Sequence, residues 1–348
     1  MLRRTLYTAL ILSGIAGFRP VAAQDAGGYH LAKKITVGGD GGWDYALVDA
    51  AARRLYVSHG TRAVVIDLRN DSIIGEVSPA NGIHGIAVAT EFKRGFTSNG
   101  RDTTVTIFDL ATLKTIGTVT TTGANPDAIT YDPVSKRVFT FNGRSSNATA
   151  IDAATGQVQG TIPLPGKPEF AVADGKGLIY VNIESDTGQI VVLDTRAMKE
   201  VRRYWLTGCA EPSGLALDRA DVRLMSVCDN EVMVVSDPAK GAVLASLPIG
   251  PGVDAAAYDS VTHLVFASNG GNGTLTVVRQ DGPDKYTVLG NAATQRGSRT
   301  MALDPSTHRI YLSAAEFGEA PAPATPGGRP GRPPMVPGSF AVLVMDRQ

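Results

Sequence analysis

The chain has 348 residues, enough for one large domain or two ordinary ones, and its hydrophobic content is typical of a globular protein. Its 33 basic and 33 acidic residues balance, so the composition does not support the basic face that a nucleic-acid-binding protein carries. Glycine is abundant and aromatic residues are few, which suits a fold with many tight turns.

The N-terminal segment has the pattern of an export signal. Arg3 and Arg4 give a basic start, an apolar run over 6–18 is too short to span a membrane, and small residues precede a cleavage point before Gln24. The alternative is a buried N-terminal helix. We expect a signal peptide over 1–23, a periplasmic or secreted protein, and no membrane span, because no later stretch reaches the roughly twenty apolar residues required.

A lone apolar run at 35–37 follows the leader and resembles the fourth run of every later repeat. Seven repeats come next, each with four short runs rich in Val, Ile, Thr and aromatic residues, separated by turn formers, which predicts four antiparallel strands. The third runs end in Asp residues 42 or 43 positions apart, a period typical of a propeller blade. We interpret these residues as turn formers that cap their own turns: Asp67, Asp109, Asp152, Asp194 and Asp237.

The seventh repeat is interrupted. Its second strand begins at Arg309 and its third at Phe340, and between them a Pro-rich insert, 316–338, is expected to be extended and unable to join a sheet. Only three strands of this repeat come from the C-terminus, so the strand at 35–37 should supply the fourth. The sequence therefore predicts a single all-β domain over 24–348, a seven-bladed β-propeller of four-stranded antiparallel blades, closed by pairing of the N-terminal strand with C-terminal strands.

The second strands end in a recurring tetrad that resembles the Tyr-Val-Thr-Asn signature of YVTN-type β-propeller repeat proteins, the YncE-like exported group. The tetrads at 180–183 and 225–228 depart from it by losing the final Asn. The resemblance implies a seven-bladed propeller but no single activity, because propellers serve as scaffolds, binders and enzymes. The matching tetrads are Tyr56–His59, Phe96–Asn99, Phe139–Asn142 and Phe266–Asn269.

Two sets of loops share one face in this topology: those entering each first strand and those joining the second strand to the third. Their polar residues differ from blade to blade, so they form either a ligand site at the mouth of the central channel or a solvated rim. The first set offers Trp43, Asp44, His84, Asp127, Glu169, Asp254 and Arg299, and the second offers His59, Asn99, Asn142 and Asn269.

Two metal sites are conceivable on this face. His59 and His84, with a nearby carboxylate from Asp44 or Asp127, have the chemistry for a transition metal. They lack the tight spacing of a metal motif, so two independent surface histidines are the alternative. An acidic ring could instead bind calcium: Asp127, Glu169 and Asp254. No catalytic residue is assigned, and no cofactor is expected beyond such a divalent cation.

Cys209 lies before the first strand of the fifth repeat, and Cys228 ends that repeat's second strand. Both therefore approach the same face of the same blade. In an oxidising compartment this placement predicts a disulfide between them. Two buried thiols are the alternative.

Three functions compete at this point. The first is a non-catalytic exported binding or scaffold protein, a monomer that holds a small molecule or an envelope protein at the channel mouth. The second is a metal-dependent, lactonase-like hydrolase with a central carboxylate-bound cation. The third is single-stranded DNA binding, which needs a basic groove with stacking aromatic residues. The arginines available for it are scattered, so nucleic acid is not expected: Arg62, Arg94, Arg101 and Arg144.

Overall fold

The computed structural model describes residues 26–321, 331 and 333–348, and the predicted leader, 1–23, lies outside them. The described residues form seven four-stranded antiparallel sheets arranged as the blades of a propeller, with one short 3-10 helix at Thr90–Phe92. Blade 1 contains β2 (Ala46–Asp49), β3 (Arg54–His59), β4 (Arg62–Asp67) and β5 (Ser72–Val77). Blade 2 contains β6 (Ile83–Ala89), β7 (Arg94–Asn99), β8 (Thr104–Asp109) and β9 (Thr115–Thr120). Blade 3 contains β10 (Pro126–Asp132), β11 (Arg137–Asn142), β12 (Asn147–Asp152) and β13 (Val158–Pro163).

The second half of the ring repeats the arrangement. Blade 4 contains β14–β17, blade 5 β18–β21 and blade 6 β22–β25, and blade 7 combines β26, β27 and β28 with β1. The bounds of blades 4 to 6 are Lys167–Ala173, Leu178–Glu184, Gln189–Asp194 and Lys199–Trp205; Pro212–Asp218, Arg223–Cys228, Val232–Asp237 and Ala242–Pro248; and Val253–Asp259, Leu264–Asn269, Thr274–Gly282 and Lys285–Ala293. Those of blade 7 are Met301–Asp304, Arg309–Ala314, Ala341–Arg347 and, for β1, Tyr29–Thr36.

The core lies between the blades. The second and third strands of each blade are buried on both faces, because neighbouring blades stack against both sides of them, whereas an outer strand such as β9 alternates with solvent. Tyr56 of blade 1 meets Phe108 of blade 2 in this way, with ring centroids 5.9 Å apart. Full burial of such a side chain stabilises the fold by about 2–3 kcal/mol.

The predicted closure of the ring is confirmed. Strand β1 pairs with β28, with Ile35 opposite Val342 and Thr36 opposite Ala341. The N–H of Val37 continues the pairing by donating to the carbonyl of Phe340 over 3.0 Å. The first strand and the last described strand therefore share one sheet.

The turn role of the repeated Asp residues is also confirmed. Asp109 accepts hydrogen bonds from the backbone N–H groups of Ala111 and Thr112, at 3.0 and 2.7 Å. Asp152 makes the same pair with Ala154 and Thr155. These carboxylates bind their own turns, which is why they recur in the sequence.

The Pro-rich insert departs from the expectation at its ends. Phe317 forms an isolated antiparallel bridge with Met335, and the N–H of Gly318 donates to the carbonyl of Pro334 over 2.9 Å. The prediction that this stretch cannot pair is wrong here, because proline lacks a donor but its carbonyl still accepts. Its central positions, 322–330 and 332, lie outside the described residues.

Cys209 and Cys228 form a disulfide, as predicted, with their Cα atoms 5.4 Å apart. It ties the entry of blade 5 to the end of that blade's second strand. Among the described residues, no helix has the length and apolar character needed to cross a membrane.

Candidate functional site at the channel mouth

Seven residues, one per blade, occupy equivalent positions around the channel. The residue two positions after each of them pairs with the second residue of that blade's tetrad. Ala46, two positions after Asp44, pairs with Val57, and Ile86, two positions after His84, pairs with Thr97. The same register holds in the other five blades. We call this set the channel ring: Asp44, His84, Asp127, Glu169, Ser213, Asp254 and Arg299.

The channel ring sits at an irregularity of the innermost strands. The pairing register shifts between Ile83 and Ile86 in blade 2 and between Pro126 and Ile129 in blade 3. Blades 4, 5 and 6 shift at the same place. Bulges of this kind redirect a side chain out of the regular alternation, so they account for polar groups at the start of otherwise apolar strands.

In three blades, the third residue of the tetrad donates a hydrogen bond to the backbone carbonyl of a ring residue. The hydroxyl of Ser98 in blade 2 donates to the carbonyl of Asp127 in blade 3. In blade 4, Nδ2 of Asn182 donates to the carbonyl of Ser213 over 2.7 Å. Ser268 of blade 6 makes the same bond to Arg299 of blade 7. In these three blades, a side chain of the second strand thus positions the ring residue of the next blade.

Three ring carboxyls retain their protons more strongly than usual, and of these Asp127 is buried while Glu169 and Asp254 are half-buried. Burial and the charge of Asp44 raise the pKa of Asp127 to about 7. Burial and the charge of Asp127 raise the pKa of Glu169 to about 8. Burial raises the pKa of Asp254 to about 6, although Arg299 opposes the rise. Burial, reinforced by repulsion between neighbouring carboxylates, therefore raises the pKa of all three groups.

Cations balance part of this charge. His84 Nδ1 lies 2.6 Å from Asp44 Oδ2 and 3.5 Å from Asp127 Oδ1. Burial lowers the pKa of His84, but the hydrogen bond to Asp44 and the two carboxylates outweigh it and raise the value to about 9. Arg299 pairs with Asp254 and, at 3.7 Å, with Asp44, and Lys167 pairs with Glu169.

An aromatic pair lies directly after two of the ring residues. Tyr45 and Phe170 each follow a ring residue, in blades 1 and 4, and their ring centroids lie 5.0 Å apart with planes at 61°. A cavity of about 340 Å³ lies on the far side of this pair. Burial and the carboxylates of Asp127 and Glu169 raise the pKa of Tyr45 well above its usual range. The Tyr45 hydroxyl is therefore neutral.

A cavity of about 600 Å³ opens above the ring over blades 1 to 3. Trp43, Asp44, His84 and Arg299 line it, and Arg101 and Arg144 extend it outward. A Cβ atom on Gly100 would lie 2.5 Å from His84 Nε2, so glycine there leaves room for the imidazole. The wall combines cationic, acidic and aromatic groups.

The tetrad asparagines do not face this cavity. Asn99 is 1% exposed, and its Nδ2 donates to Thr104 and Thr106 at 3.1 and 2.9 Å. Asn142 and Asn269 are fully buried and make the corresponding bonds to side chains of their third strands. These amides hold the second strand to the third, so they do not belong to the proposed site.

His59 also lies apart. It is 1% exposed and stacks on Phe340, with ring centroids 4.1 Å apart. Burial, reinforced by the charge of Arg62, lowers the pKa of His59. Among the described residues, the cluster that contains His84 does not include His59, and His59 is not a surface histidine either, because the tetrad's last side chain turns into the blade.

The sequence missed Tyr45, Phe170 and Ser213. Ser213 occupies the same repeat position as the charged ring residues, a signal that sequence comparison between blades could have used. The aromatic pair resembles ordinary core residues in sequence.

No protein-family model matches the chain, and no curated protein matches it. Solved structures show the fold alone. The chain is similar to a chain of hydrazine synthase from Kuenenia stuttgartiensis (15% identity, TM-score 0.70), covering 79% of this chain and 94% of that one. It is also similar to U3-55K (10% identity, TM-score 0.73), covering 89% of this chain and 97% of that one. A chain of the mitotic checkpoint complex is similar as well (12% identity, TM-score 0.71), with 88% of this chain and 95% of that one covered.

Proposed function

We propose that the protein is a non-catalytic propeller that binds a small anionic molecule at the mouth of its channel. The observation that carries the proposal is the 600 Å³ cavity lined by Arg101, Arg144 and Arg299 together with His84. Within the described residues, neither Arg101 nor Arg144 makes an ion pair, so their guanidinium groups are available to a carboxylate or phosphate. The volume of this cavity lies within the range of roughly 300–1,000 Å³ that is typical of small-ligand sites.

The test is calorimetric titration of the purified protein with tricarboxylates and sugar phosphates, and with neutral sugars for contrast. Anions should bind and neutral sugars should not. Arg101→Gln and Arg144→Gln should each weaken anion binding at least about tenfold, as expected for a charged hydrogen bond. Arg94→Gln is the matched control, because Arg94 begins β7 at the end of the blade opposite the cavity. Equal effects of all three substitutions would contradict the proposal.

We infer further that the chain is an exported member of the YVTN-type group. The tetrads and the disulfide support this, since disulfides persist in oxidising compartments. Expression with the native N-terminus in a bacterium that has a periplasm should yield a product that starts at Gln24 in the periplasmic fraction. A product that keeps 1–23 in the cytoplasm would overturn the inference.

The arginines considered for single-stranded DNA binding do not line one groove. Arg62 lies 3.3 Å from Glu76, and Arg94 lies at the other end of blade 2 from Arg101. These side chains do not follow one path. The hydrolase alternative requires a bound cation.

A further inference from the structure

Three residues of the channel ring place metal-binding atoms together. Asp44, His84 and Asp127 each offer one such atom, and these atoms all lie within 4.8 Å of one another. Blades 1, 2 and 3 supply one residue each. The cluster therefore depends on the stacking of consecutive blades and not on a local sequence motif.

One oxygen of the cluster is buried without a hydrogen bond, and the His84 imidazole is its ion-pair partner at 3.5 Å. Asp127 is 7% exposed, and its Oδ1 is buried without a hydrogen bond. The other oxygen is approached by Nδ2 of Asn125 at 3.5 Å, at the limit of a hydrogen bond. Buried polar atoms are nearly always satisfied, and an unsatisfied one calls for an explanation such as a missing ion. A cation beside Asp127 Oδ1 would supply it.

The spacing suits a small divalent ion. Ligand atoms about 2.0–2.1 Å from a tetrahedral zinc lie roughly 3.4 Å from one another. His84 Nδ1 and Asp127 Oδ1 already have this separation, at 3.5 Å. The 2.6 Å contact between His84 and Asp44 would need to lengthen by less than about 1 Å, a side-chain adjustment.

The donor set selects the class of metal. One imidazole nitrogen with two carboxylate oxygens suits zinc and similar transition metals, whereas calcium takes six to eight oxygen ligands. Asp44 and His84 also line the 600 Å³ cavity. Three protein ligands with the remaining position open to a cavity is the arrangement of sites that bind an exogenous ligand.

We propose that Asp44, His84 and Asp127 form a binding site for a divalent transition-metal ion of the zinc class, with its open coordination position facing the cavity. The inference deepens the proposed function, because the ion would anchor the anionic group that the arginines attract. The site does not require that ligand, so the ion alone is a sufficient probe.

The experiment titrates Zn²⁺, and Co²⁺ as a spectroscopic substitute, into full-length protein dialysed against chelator. We expect one equivalent to bind, with Co²⁺ absorption typical of mixed nitrogen and oxygen ligands. Asp127→Asn and His84→Asn should each weaken binding at least tenfold, since even supporting residues of metal sites contribute about 10- to 100-fold. Asp229→Asn is the matched control, because it removes the same charge from an exposed position after β19 on the same face. It should change the affinity less than about threefold.

Stoichiometric binding with unchanged affinity in Asp127→Asn, or no binding by the wild type, would overturn the proposal. Circular dichroism shows whether each variant folds. Should Asp127→Asn not fold, anomalous diffraction from zinc-soaked wild-type crystals decides, since an ion between the three side chains supports the site and an ion elsewhere refutes it. Anion titrations on chelator-treated and on zinc-loaded protein separate the two proposals. Anion binding without metal binding removes only the metal site, and metal binding without anion binding to the zinc-loaded protein removes only the proposed ligand.

Discussion

Tyr45 of blade 1 packs against Phe170 of blade 4 across the channel, with ring centroids 5.0 Å apart. Asp44, which precedes Tyr45, lines the mouth cavity, and Tyr45 and Phe170 both line a second cavity. The aromatic pair therefore lies between two compartments.

Removing the Tyr45 ring should merge the compartments. Tyr45 is 7% exposed, so Tyr45→Ala should lower the free energy of unfolding by about 3 kcal/mol through lost burial and the resulting cavity. Tyr45→Phe keeps the packing and is the control, with an expected change under about 1 kcal/mol. Guanidinium denaturation of both variants measures the difference. A Tyr45→Phe variant as unstable as Tyr45→Ala would show that the hydroxyl, and not the ring, stabilises the channel.

The fold was predictable because its signals are local and repeated. Asp109 and Asp152 recur because each must cap a turn, and the tetrads recur because each must pair in the middle of a blade. The lone strand around Ile35 was informative because it precedes the first repeat and has no partner there, whereas the last repeat lacks a fourth strand.

The site was predictable only in part. Asp127 and Glu169 could be found because they vary at a fixed position of the repeat. His59 and Asn99 could not be assigned correctly, since sequence places them at a strand end without showing that the side chain turns into the blade. The pairing of Tyr45 with Phe170 joins blades that are distant in sequence, and no local pattern encodes it.

The raised carboxyl pKa values predict a dependence of stability on pH. Glu169 has a pKa of about 8 in the folded protein and an ordinary value of 4.5, so the folded state keeps a proton that the unfolded chain loses. Stability contributed by this group is therefore full below pH 4.5 and is lost as pH rises through 8. Glu169→Gln should raise the free energy of unfolding at pH 9 by about 2 kcal/mol and leave it unchanged at pH 5.

Thermal melts at pH 5 and pH 9 measure this effect. Glu200→Gln serves as the control, because Glu200 pairs with Arg203 on β17, away from the channel ring. It should not gain stability at pH 9. A Glu169→Gln variant that melts below wild type at pH 9 would contradict the mutual repulsion inferred for the ring.

Two histidines should titrate on opposite sides of the ordinary value of 6.5. His84 has a pKa of about 9, because the bond to Asp44 and the charge of Asp127 outweigh burial, whereas burial and Arg62 lower the pKa of His59. Stability from His84 is thus present below pH 6.5 and lost as pH rises through 9. Nuclear magnetic resonance of the imidazole carbons in chelator-treated protein measures both values. Asp44→Asn should move the His84 titration toward 6.5 and leave His59 in place, and identical titrations of the two rings would refute the assignment.

The contribution of ring closure can be isolated on a single strand. Ile35 is 8% exposed and packs in the core cluster that contains Val342, whereas Leu31 on the same strand is 46% exposed. Ile35→Ala should lower the free energy of unfolding by about 2–3 kcal/mol, because it removes buried apolar volume at the seam that joins β1 to β28. Leu31→Ala, a comparable truncation of the same strand, should change it by less than about 0.5 kcal/mol. Denaturant midpoints measure both, and limited proteolysis should release the N-terminal strand earlier in Ile35→Ala. Equal losses in the two variants would mean that strand pairing alone, without burial of Ile35, holds the circle closed.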